Sequence, residues 1–260
     1  MTDTIEIAGV KINRISRENA AKEIENFILS GQRHQVCVTN VYSVVLMQKD
    51  KEFRKINNES SLVVPDGMPL VWVSKLYGQS IPERVSGSDI FYQLCKIADE
   101  KKYKFFLLGS TNKVLNSMCG NLKKQFPNLQ ISDVYSPPYE NNFSKTQNFE
   151  MIERINKVKP DILWVGMTAP KQEKWIYNNL DKLNVKVAIG VGAVFNFVSG
   201  EVRRAPLWMQ RVGLEWLWRI IQEPRRLWKR YLIGNTIFIC LIIKEFFGKL
   251  LSPKHNNLLF

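Results

Sequence analysis

Histidine is nearly absent from this sequence, and cysteine is sparse. Only His34 and His255 occur in 260 residues, and the H-E-x-x-H, G-x-S-x-G and Walker patterns are all missing. Because neither histidine has a convincing catalytic partner, a histidine-based triad is not expected. The cysteines are scattered without a C-x-x-C pair, which argues against a zinc site or a disulfide framework and fits a reducing cytosol. They are Cys37, Cys95, Cys119 and Cys240.

Neither a signal peptide nor a flexible linker is expected from the sequence. The N-terminal stretch "MTDTIEIAGV" has no basic region that leads into an apolar one, and no low-complexity or Ser/Gly-rich segment follows. The length suits one large domain, or one domain with an appendage. We therefore expect a protein that stays in the cytoplasm.

Positive charge is abundant but unevenly distributed. The net charge is +13, and residues 202–260 hold 11 Lys/Arg against 3 Asp/Glu. The same segment carries four of the seven tryptophans: Trp208, Trp216, Trp218 and Trp228. Such asymmetry predicts an anionic partner for the C-terminal segment, which could be a membrane, a nucleic acid or a phosphorylated ligand.

Up to about residue 200, short β-rich runs alternate with helical patterns. Most of the runs are continuously apolar, as in strands covered on both faces, and the alternation predicts an α/β fold with a mostly parallel, doubly wound sheet. The predicted strands are 35–39, 61–65, 104–109, 130–135, 161–166 and 186–192, with "TIEIAGV" as an edge piece. Predicted helices include 41–56, 88–101, 111–126, 145–158 and 170–181. We assign residues 1–200 to this domain.

Residues 201–260 read as an all-helical appendage. The periodicity predicts one helix over 207–223, in which Arg211, Glu215, Arg219 and Glu223 would form a solvated charge ladder. The following apolar run, 231–243, has 13 residues, fewer than the ~20 that a bilayer span needs. An in-plane amphipathic anchor is therefore the favoured interpretation, with the four tryptophans at the membrane surface. The alternative is a dimer interface, which would make the protein a homo-oligomer.

Polar residues follow the predicted strands, at the edge where an open α/β sheet binds ligands. In "VVPDG", Asp66 and Gly67 come directly after a strand, although Pro-Asp-Gly is also a common turn. Thr39 and Asn40 follow another strand, and either could simply cap the next helix. Thr111 in "GSTNK" has the same two interpretations, a phosphate site or a plain cap.

Three further motifs have both a structural and a functional interpretation. "GVGAVF" has Phe195 where a dinucleotide fingerprint needs its third glycine, so close backbone packing is favoured. Gln172 lies in the first turn of a helix that is either catalytic or an ordinary surface helix. Arg84 lies in the loop "PERVSGSD", as a salt-bridge partner or as a phosphate clamp.

Seven ordered motifs carry a family resemblance over residues 5–235. They are "VTN", "PDGMPLVW", "ERVSGSD", "LLGS", "VGMTAPKQEKWI", "GVGAVFNFVSGEVRRAP" and "LEWLWRIIQEPRR". Together they resemble the WecG/TagA/CpsF family of bacterial glycosyltransferases. The resemblance implies a Rossmann-like fold with a membrane-associating C-terminal appendage.

The resemblance also implies a reaction. A sugar would pass from a UDP-sugar donor to a polyprenyl-diphosphate-linked saccharide at the cytoplasmic face of the membrane, with inversion and without a metal or other cofactor. The products would be precursors of teichoic acid, common antigen or exopolysaccharide. "TNVYS" differs from the "T-x-N-P-E" stretch of the teichoic branch, so the donor sugar stays open.

Residue roles follow from the same resemblance. Asp66 matches the family's proposed general base, and Thr39, Gln172 and Arg84 match polar residues beside the reacting sugar. Asn40 and Gly67, next to these in sequence, are expected to contact the substrate. Among the substrate-binding residues, Arg219 and Arg226 match arginines that close over the diphosphate, and Lys229 stands where some relatives carry arginine. Tyr139 matches a tyrosine that stacks on uracil. Asn196 replaces an aspartate of the teichoic branch.

Two other functions fit parts of the sequence. Basicity with interleaved aromatic residues is also found in nucleic-acid-binding proteins, although the apolar run 231–243 is not needed for such a surface. A Rossmann-like sheet could serve a nucleotide-dependent oxidoreductase, but the missing third glycine counts against it. We therefore expect a UDP-sugar and a lipid-linked acceptor as partners, and no nucleic acid.

Overall fold

The computed structural model describes residues 3–250 and contains two sheets. The strands are β1 Thr4–Ile7, β2 Val10–Asn13, β3 His34–Thr39, β4 Leu62–Pro65, β5 Lys104–Gly109, β6 Gln130–Tyr135, β7 Ile162–Gly166 and β8 Val187–Gly190. The helices of the first 200 residues are α1 Arg17–Ser30, α2 Val41–Lys49, α3 Lys51–Glu59, α4 Met68–Leu76, α5 Gly87–Lys101, α6 Asn112–Gln125, α7 Lys145–Val158, α8 Lys171–Asn179 and α9 Val194–Ser199. The appendage contains α10 Leu207–Arg211, α11 Glu215–Gln222, α12 Pro224–Trp228 and α13 Gly234–Leu250.

The larger sheet has six strands in the order β4-β3-β8-β7-β5-β6, and every neighbouring pair is parallel. This confirms the predicted Rossmann-like α/β class and the six strands that form the sheet. Because all strands run the same way, their carboxyl ends share one edge. The loops that follow β3, β4, β5, β7 and β8 therefore converge there.

Alternate residues of the central strands pack on opposite faces, as a sheet covered on both sides requires. In β7, Ile162 and Trp164 belong to the core beneath α1, α5 and α6, whereas Leu163 and Val165 belong to the core beneath α7 and α8. All four of these side chains are fully buried. Helices thus cover both faces, as the continuous apolar runs predicted.

The N-terminal edge prediction was wrong in its placement. Residues of "TIEIAGV" form β1, but β1 pairs antiparallel with β2 in a separate hairpin. The turn at Ala8 and Gly9 has positive φ at both residues, the geometry of a tight two-residue hairpin. The alternating apolar side chains Ile5, Ile7, Val10 and Ile12 are buried, so the hairpin covers core rather than extending the sheet.

Two predicted helices are each divided in two. The segment 41–56 breaks at Asp50, which caps α3 by accepting a hydrogen bond from the Phe53 backbone N–H at 2.9 Å. The segment 207–223 breaks at Gly213, whose φ is +74°. Of the predicted charge ladder only the Arg219–Glu223 pair forms, at 3.5 Å, because Glu215 pairs with Arg84 instead.

The appendage ends in one long helix. Residues 224–248 are continuously helical through α12, a π-helical turn at Lys229–Ile233 and α13. By length and composition alone, the helix Pro224–Gly248 could cross a membrane, so the prediction of too short a segment was wrong. Phe238 and Ile242 are nevertheless buried in the core around α2 and α4, which docks the helix on the domain. Residues 251–260, including His255, lie outside the described part of the chain.

Candidate active site

A cleft of about 930 Å³ opens at the carboxyl edge of the sheet. The loops after all six strands of this sheet form its floor, and the appendage forms its roof. The two parts that the sequence separates at residue 200 therefore enclose one cavity. Most of the predicted site residues lie in it: Asp66, Gly67, Arg84, Asn40, Gln172, Tyr139, Asn196, Arg219 and Arg226.

Asp66 is delivered to the cleft by the sharp end of β4. Pro65 closes the strand, and the Asp66 backbone N–H donates to the Thr39 carbonyl at 2.7 Å. Gly67 has a φ of +138°, a conformation that favours glycine, and it redirects the chain into α4. The Pro-Asp-Gly turn thus explains the position of the carboxylate, since Asp66 lines the cavity at this turn.

The Asp66 carboxyl has the properties of a proton acceptor. Within residues 3–250 it makes no side-chain hydrogen bond or salt bridge, although it is half-buried. Burial raises its pKa to about 6, while the charge of Arg84 opposes this rise. A carboxylate with a pKa near neutrality and no partner can accept a proton from a bound ligand.

Arg84 belongs to a partly buried charge network that joins the domain to the appendage. Its Nη1 donates to Glu215 Oε2 at 2.6 Å, and its Nη2 donates to Gln210 Oε1 at 3.1 Å. Both partners come from the appendage, so the salt-bridge interpretation of Arg84 is confirmed. The side chain still lines the cleft, where it acts on Asp66 through its charge.

A second arginine completes this network and was missed in the sequence. Arg204 Nη2 donates to Asp89 Oδ1 at 2.7 Å and to Ser86 Oγ at 3.0 Å, while Asp89 also pairs with Arg84 at 3.5 Å. Two arginines therefore face two acids, Asp89 and Glu215. The only signal was the presence of "VRRAP" and "VSGSD" among the family motifs, since nothing in their spacing brings them together.

Both the oxygen and the nitrogen of the Gln172 side-chain amide form hydrogen bonds in the wall of the cleft. Its Oε1 accepts from the Gly192 N–H at 3.0 Å, and its Nε2 donates to Glu173 Oε1 at 2.8 Å. A Cβ on Gly190 would lie 2.9 Å from Gln172 Nε2. The glycines of "GVGAVF" thus allow close packing against Gln172, which confirms that interpretation of the motif.

Thr39 is not brought into the cleft. Its side chain is buried, and its hydroxyl donates to Asn57 Oδ1 at 2.5 Å. The Thr39 carbonyl instead holds the Asp66 backbone, so this residue lies behind the site. Asn40 does line the cleft and also caps α2, since its Oδ1 accepts from the Ser43 N–H at 3.0 Å.

Tyr139 and Asn196 also line the cleft. The Tyr139 ring is fully exposed at the rim, in the loop after β6. The Asn196 side chain makes no hydrogen bond within the described residues, although its backbone is engaged in α9. A free aromatic face and a free amide are suitable for a planar, hydrogen-bonding ligand. Thr111 lines the cleft as well, and its hydroxyl caps α6 by accepting from the Val114 N–H.

The roof of the cleft is cationic. Arg219 is 9% exposed, and it shares the carboxylate of Glu223 with Arg226 at 3.5 and 2.6 Å respectively. Lys229 lies outside the cleft lining and stacks on Trp228. Its neighbour Arg230 lines the cavity instead. The structure therefore brings together the two predicted arginines, excludes the lysine and adds an arginine that the sequence did not reveal.

The four tryptophans separate into two groups. Trp208 and Trp228 are exposed on the outside of the appendage, at 61% and 43%. Trp216 is half-buried and lines the cleft, and Trp218 donates its indole N–H to the Arg203 carbonyl. Trp72 of α4, which the sequence did not single out, is 49% exposed and touches the Gly213 turn.

His34, the one histidine within residues 3–250, lies outside the cleft lining. The ring of His34 stacks on Phe27 with centroids 4.1 Å apart, which is a packing role far from the cleft lining. Among residues 3–250, no group of three His, Cys, Asp or Glu side chains has an arrangement that could hold a metal ion. A partner-free carboxyl below a cationic roof is an arrangement for group transfer from an anionic substrate.

Comparisons with known proteins assign the chain to a family. A family model described as the glycosyl transferase WecG/TagA/CpsF family matches residues 5–251. The chain therefore belongs to this family of glycosyltransferases.

Named relatives agree with this assignment. An N-acetylglucosaminyldiphosphoundecaprenol N-acetyl-beta-D-mannosaminyltransferase of Bacillus subtilis strain 168 is 34% identical over 206 residues, which is 79% of this chain and 78% of that protein. A protein of the same name from Staphylococcus aureus strain MW2 is 26% identical over 231 residues, 88% of this chain and 87% of the relative.

Proposed function

We propose that this glycosyltransferase moves a sugar from a UDP-sugar to a polyprenyl-diphosphate-linked saccharide, and that Asp66 is its general base. Family membership and the names of the relatives support an acceptor that is a prenyl-diphosphate saccharide. The observation that carries the residue assignment is the partner-free Asp66 carboxyl beneath the cationic roof.

In the proposed reaction, Asp66 takes the proton from an acceptor hydroxyl as that oxygen attacks the anomeric carbon of the donor. The bond from the anomeric carbon to the diphosphate oxygen breaks at the same time, and its electron pair leaves with UDP. One displacement from the opposite side inverts the anomeric configuration. A positioned base of this kind contributes on the order of 10²–10⁴ in rate.

The leaving diphosphate gains negative charge in this step, and the roof would balance it. Arg219 and Arg226 both reach the cleft, and they share a single carboxylate, Glu223. Guanidinium groups bind phosphate through two parallel hydrogen bonds, which supports their assignment to the diphosphate. Arg84 is neutralised by its own acids, so we assign it to organising the site and tuning Asp66.

The nucleoside would bind at the rim of the cleft. The exposed Tyr139 ring offers a face for uracil, and the free amide of Asn196 can accept from the ring N–H. Asn40 and Gly67 lie beside Asp66 and line the same cleft, near the proposed transfer point. Gln172 acts through the Gly192 backbone, and Thr39 through Asp66.

We further propose that the enzyme binds peripherally to the cytoplasmic face of the membrane. The outer side of the appendage exposes Trp208, Trp228, Leu232 and Ile239 in a segment with a surplus of positive charge. Exposed tryptophans favour the lipid interface, and each basic residue there contributes ~1 kcal/mol with anionic lipid. Phe238 and Ile242 remain docked in the domain core, which favours a surface position over a transmembrane one.

The experiment is an acceptor-dependent UDP-release assay. The full chain is supplied with a panel of UDP-sugars and a polyprenyl-diphosphate-sugar acceptor in anionic liposomes, and the product's anomeric configuration is read by proton NMR. We expect UDP release from one donor only when acceptor is present, with an inverted linkage. Folded, liposome-bound protein that releases UDP from no donor would contradict the proposed donor class.

A further inference from the structure

Arg230 is the one roof arginine without a carboxylate partner among the described residues that line the cleft. Arg84 pairs with Asp89 and Glu215, while Arg219 and Arg226 share Glu223. The Arg230 side chain forms neither a salt bridge nor a hydrogen bond within residues 3–250, and its Nε is buried without a partner. A buried guanidinium without a partner is costly unless a ligand completes it.

The π-helical turn explains why Arg230, rather than Lys229, reaches the cavity. In a regular helix, positions three and four residues after Arg226 both lie near its face. The turn at Lys229–Ile233 has hydrogen bonds between residues five apart, so it holds more residues than an α-helical turn. The later residue, Arg230, then returns to the cleft, and Lys229 is left exposed on Trp228.

Aromatic rings hold the guanidinium in place without neutralising it. The Arg230 carbon Cζ lies 4.5 Å from the ring centroid of Tyr42 and 5.7 Å from that of Tyr231. Tyr42 is fixed because it lies in the first turn of α2, and α13 starts against it at Gly234. Such stacking orients a guanidinium while its N–H edge stays available.

A second unpartnered donor completes the pair. The Nε of Arg219 is also buried without a partner, and the side chain as a whole is 9% exposed. Burial and the nearby charge of Arg219 lower the pKa of Arg230, while the charge of Asp66 opposes this. Two neighbouring cations with free N–H groups and a deficit of acid form a site for a compact, multiply charged anion.

We propose that Arg230 and Arg219 together bind the diphosphate of the substrate, and that Arg230 supplies the contact for which the family resemblance indicated Lys229. The identity of this diphosphate as that of a nucleotide-sugar rests on the proposed function. The anion site itself does not, because it follows from the unpartnered side chain of Arg230 and the unpartnered Nε of Arg219.

The test measures the affinity of the full chain for inorganic pyrophosphate by calorimetry, at low and at moderate salt. Arg230→Gln should weaken binding about tenfold or more, and it should reduce the salt dependence, because one charge-assisted contact is lost. Arg230→Lys keeps the positive charge but loses the planar guanidinium that can donate two parallel hydrogen bonds, so we expect the affinity for pyrophosphate to fall about threefold. Lys229→Gln should stay within about twofold of the parent if the lysine faces away.

Arg225→Gln is the matched control, since Arg225 is an exposed arginine of the same helix outside the cleft lining. It should bind pyrophosphate like the parent. A thermal melt separates binding from folding, because removing an uncompensated buried charge should not lower the melting temperature, whereas removing a structural residue should. If Arg230→Gln does not fold, Arg230→Lys decides.

The outcomes distinguish this inference from the proposed function. The proposed anion site would be overturned if Arg230→Gln or Arg230→Lys bound pyrophosphate as tightly as the parent. It would also be overturned if Lys229→Gln lost more affinity than the Arg230 variants, or if the parent did not bind pyrophosphate. A parent that binds pyrophosphate through Arg230 but transfers no sugar would support the anion site and contradict the proposed reaction.

Discussion

At the residue scale, the proposed general base Asp66 carries a cost in stability. Its pKa in the folded protein is about 6, against an ordinary value of 3.8. Between these values the folded state holds a proton that the unfolded state has released, so the free energy of unfolding falls as the pH rises through this window. Above pH 6 the whole cost is present.

The first prediction concerns Asp66→Asn, which removes this titration. At pH 7.5 the variant should be more stable than the parent by on the order of 1 kcal/mol, because the cleft is partly open to solvent. At pH 4 the difference should vanish, since Asp66 is then largely protonated when folded. Thermal melts at the two pH values check this, with the exposed Asp181→Asn as control. Equal differences at both values would contradict it.

The position of a functional residue could be predicted where the backbone fixes it, but not where its side chain can face either of two ways. Asp66 and Gly67 were predictable because a strand end followed by Pro-Asp-Gly fixes the backbone. Thr39 could not be placed, because a hydroxyl one residue from the cleft can face inward, toward Asn57. Arg230 was missed because helical periodicity assumes α-helical turns, and the π-turn changes which residue faces the cleft.

At the element scale, Gly213 determines how the appendage meets the cleft. It separates α10 from α11 with a φ of +74°, and a Cβ there would lie 2.8 Å from Trp72 Cη2 and 3.0 Å from Met68 Cβ. The α11 helix carries Arg219 and Glu215, so displacement of this turn would move the roof of the cleft.

The second prediction is that Gly213→Ala weakens pyrophosphate binding as well as stability. Gly78 is a matched control, since its φ is +70° and a Cβ would meet nothing within 4 Å. Both variants should lose about 1–2 kcal/mol from the left-handed backbone. Only Gly213→Ala should also lose affinity, by several-fold, and calorimetry measures this. Equal affinity in the two variants would show that the turn does not position the roof.

Helices and strands could be predicted where one sequence signal was clear. The strands β5 and β6 match their predicted bounds because clear turn residues mark their ends, Gly109 for β5 and Ser136 with Pro137 after β6. The hairpin β1–β2 was misplaced because each strand has only 4 residues, too few to show whether it extends a sheet or covers the core. The break at Gly213 was missed because the apolar periodicity continues through it.

At the scale of the whole molecule, the contacts of α13 distinguish an appendage that is docked on the domain from one that crosses the membrane. Phe238 is 4% exposed and packs in the core around α2, while Phe247 on the same helix is 56% exposed. The third prediction is that Phe238→Ala destabilises the lipid-free protein by about 3–5 kcal/mol, and that Phe247→Ala has little effect. Denaturant unfolding compares them. Equal, small effects would indicate that α13 does not dock as described.

The fourth prediction concerns the membrane. The chain should sediment with vesicles that contain anionic lipid, and binding should weaken with salt, because exposed tryptophans and basic residues act together. Neutral vesicles should bind less, and Trp208→Ser with Trp228→Ser should reduce binding further. Salt-sensitive binding to single- or double-stranded nucleic acid without vesicle binding would instead favour the nucleic-acid alternative.

The most direct test of the account is the turnover of Asp66→Asn with the donor that the UDP-release panel identifies. At saturating donor and acceptor, kcat should fall by on the order of 10²–10⁴, while donor affinity changes little, because only the proton acceptor is removed. The parent's kcat should also fall below about pH 6, where Asp66 becomes protonated. An Asp66→Asn variant that turns over within a few-fold of the parent would contradict Asp66 as the general base.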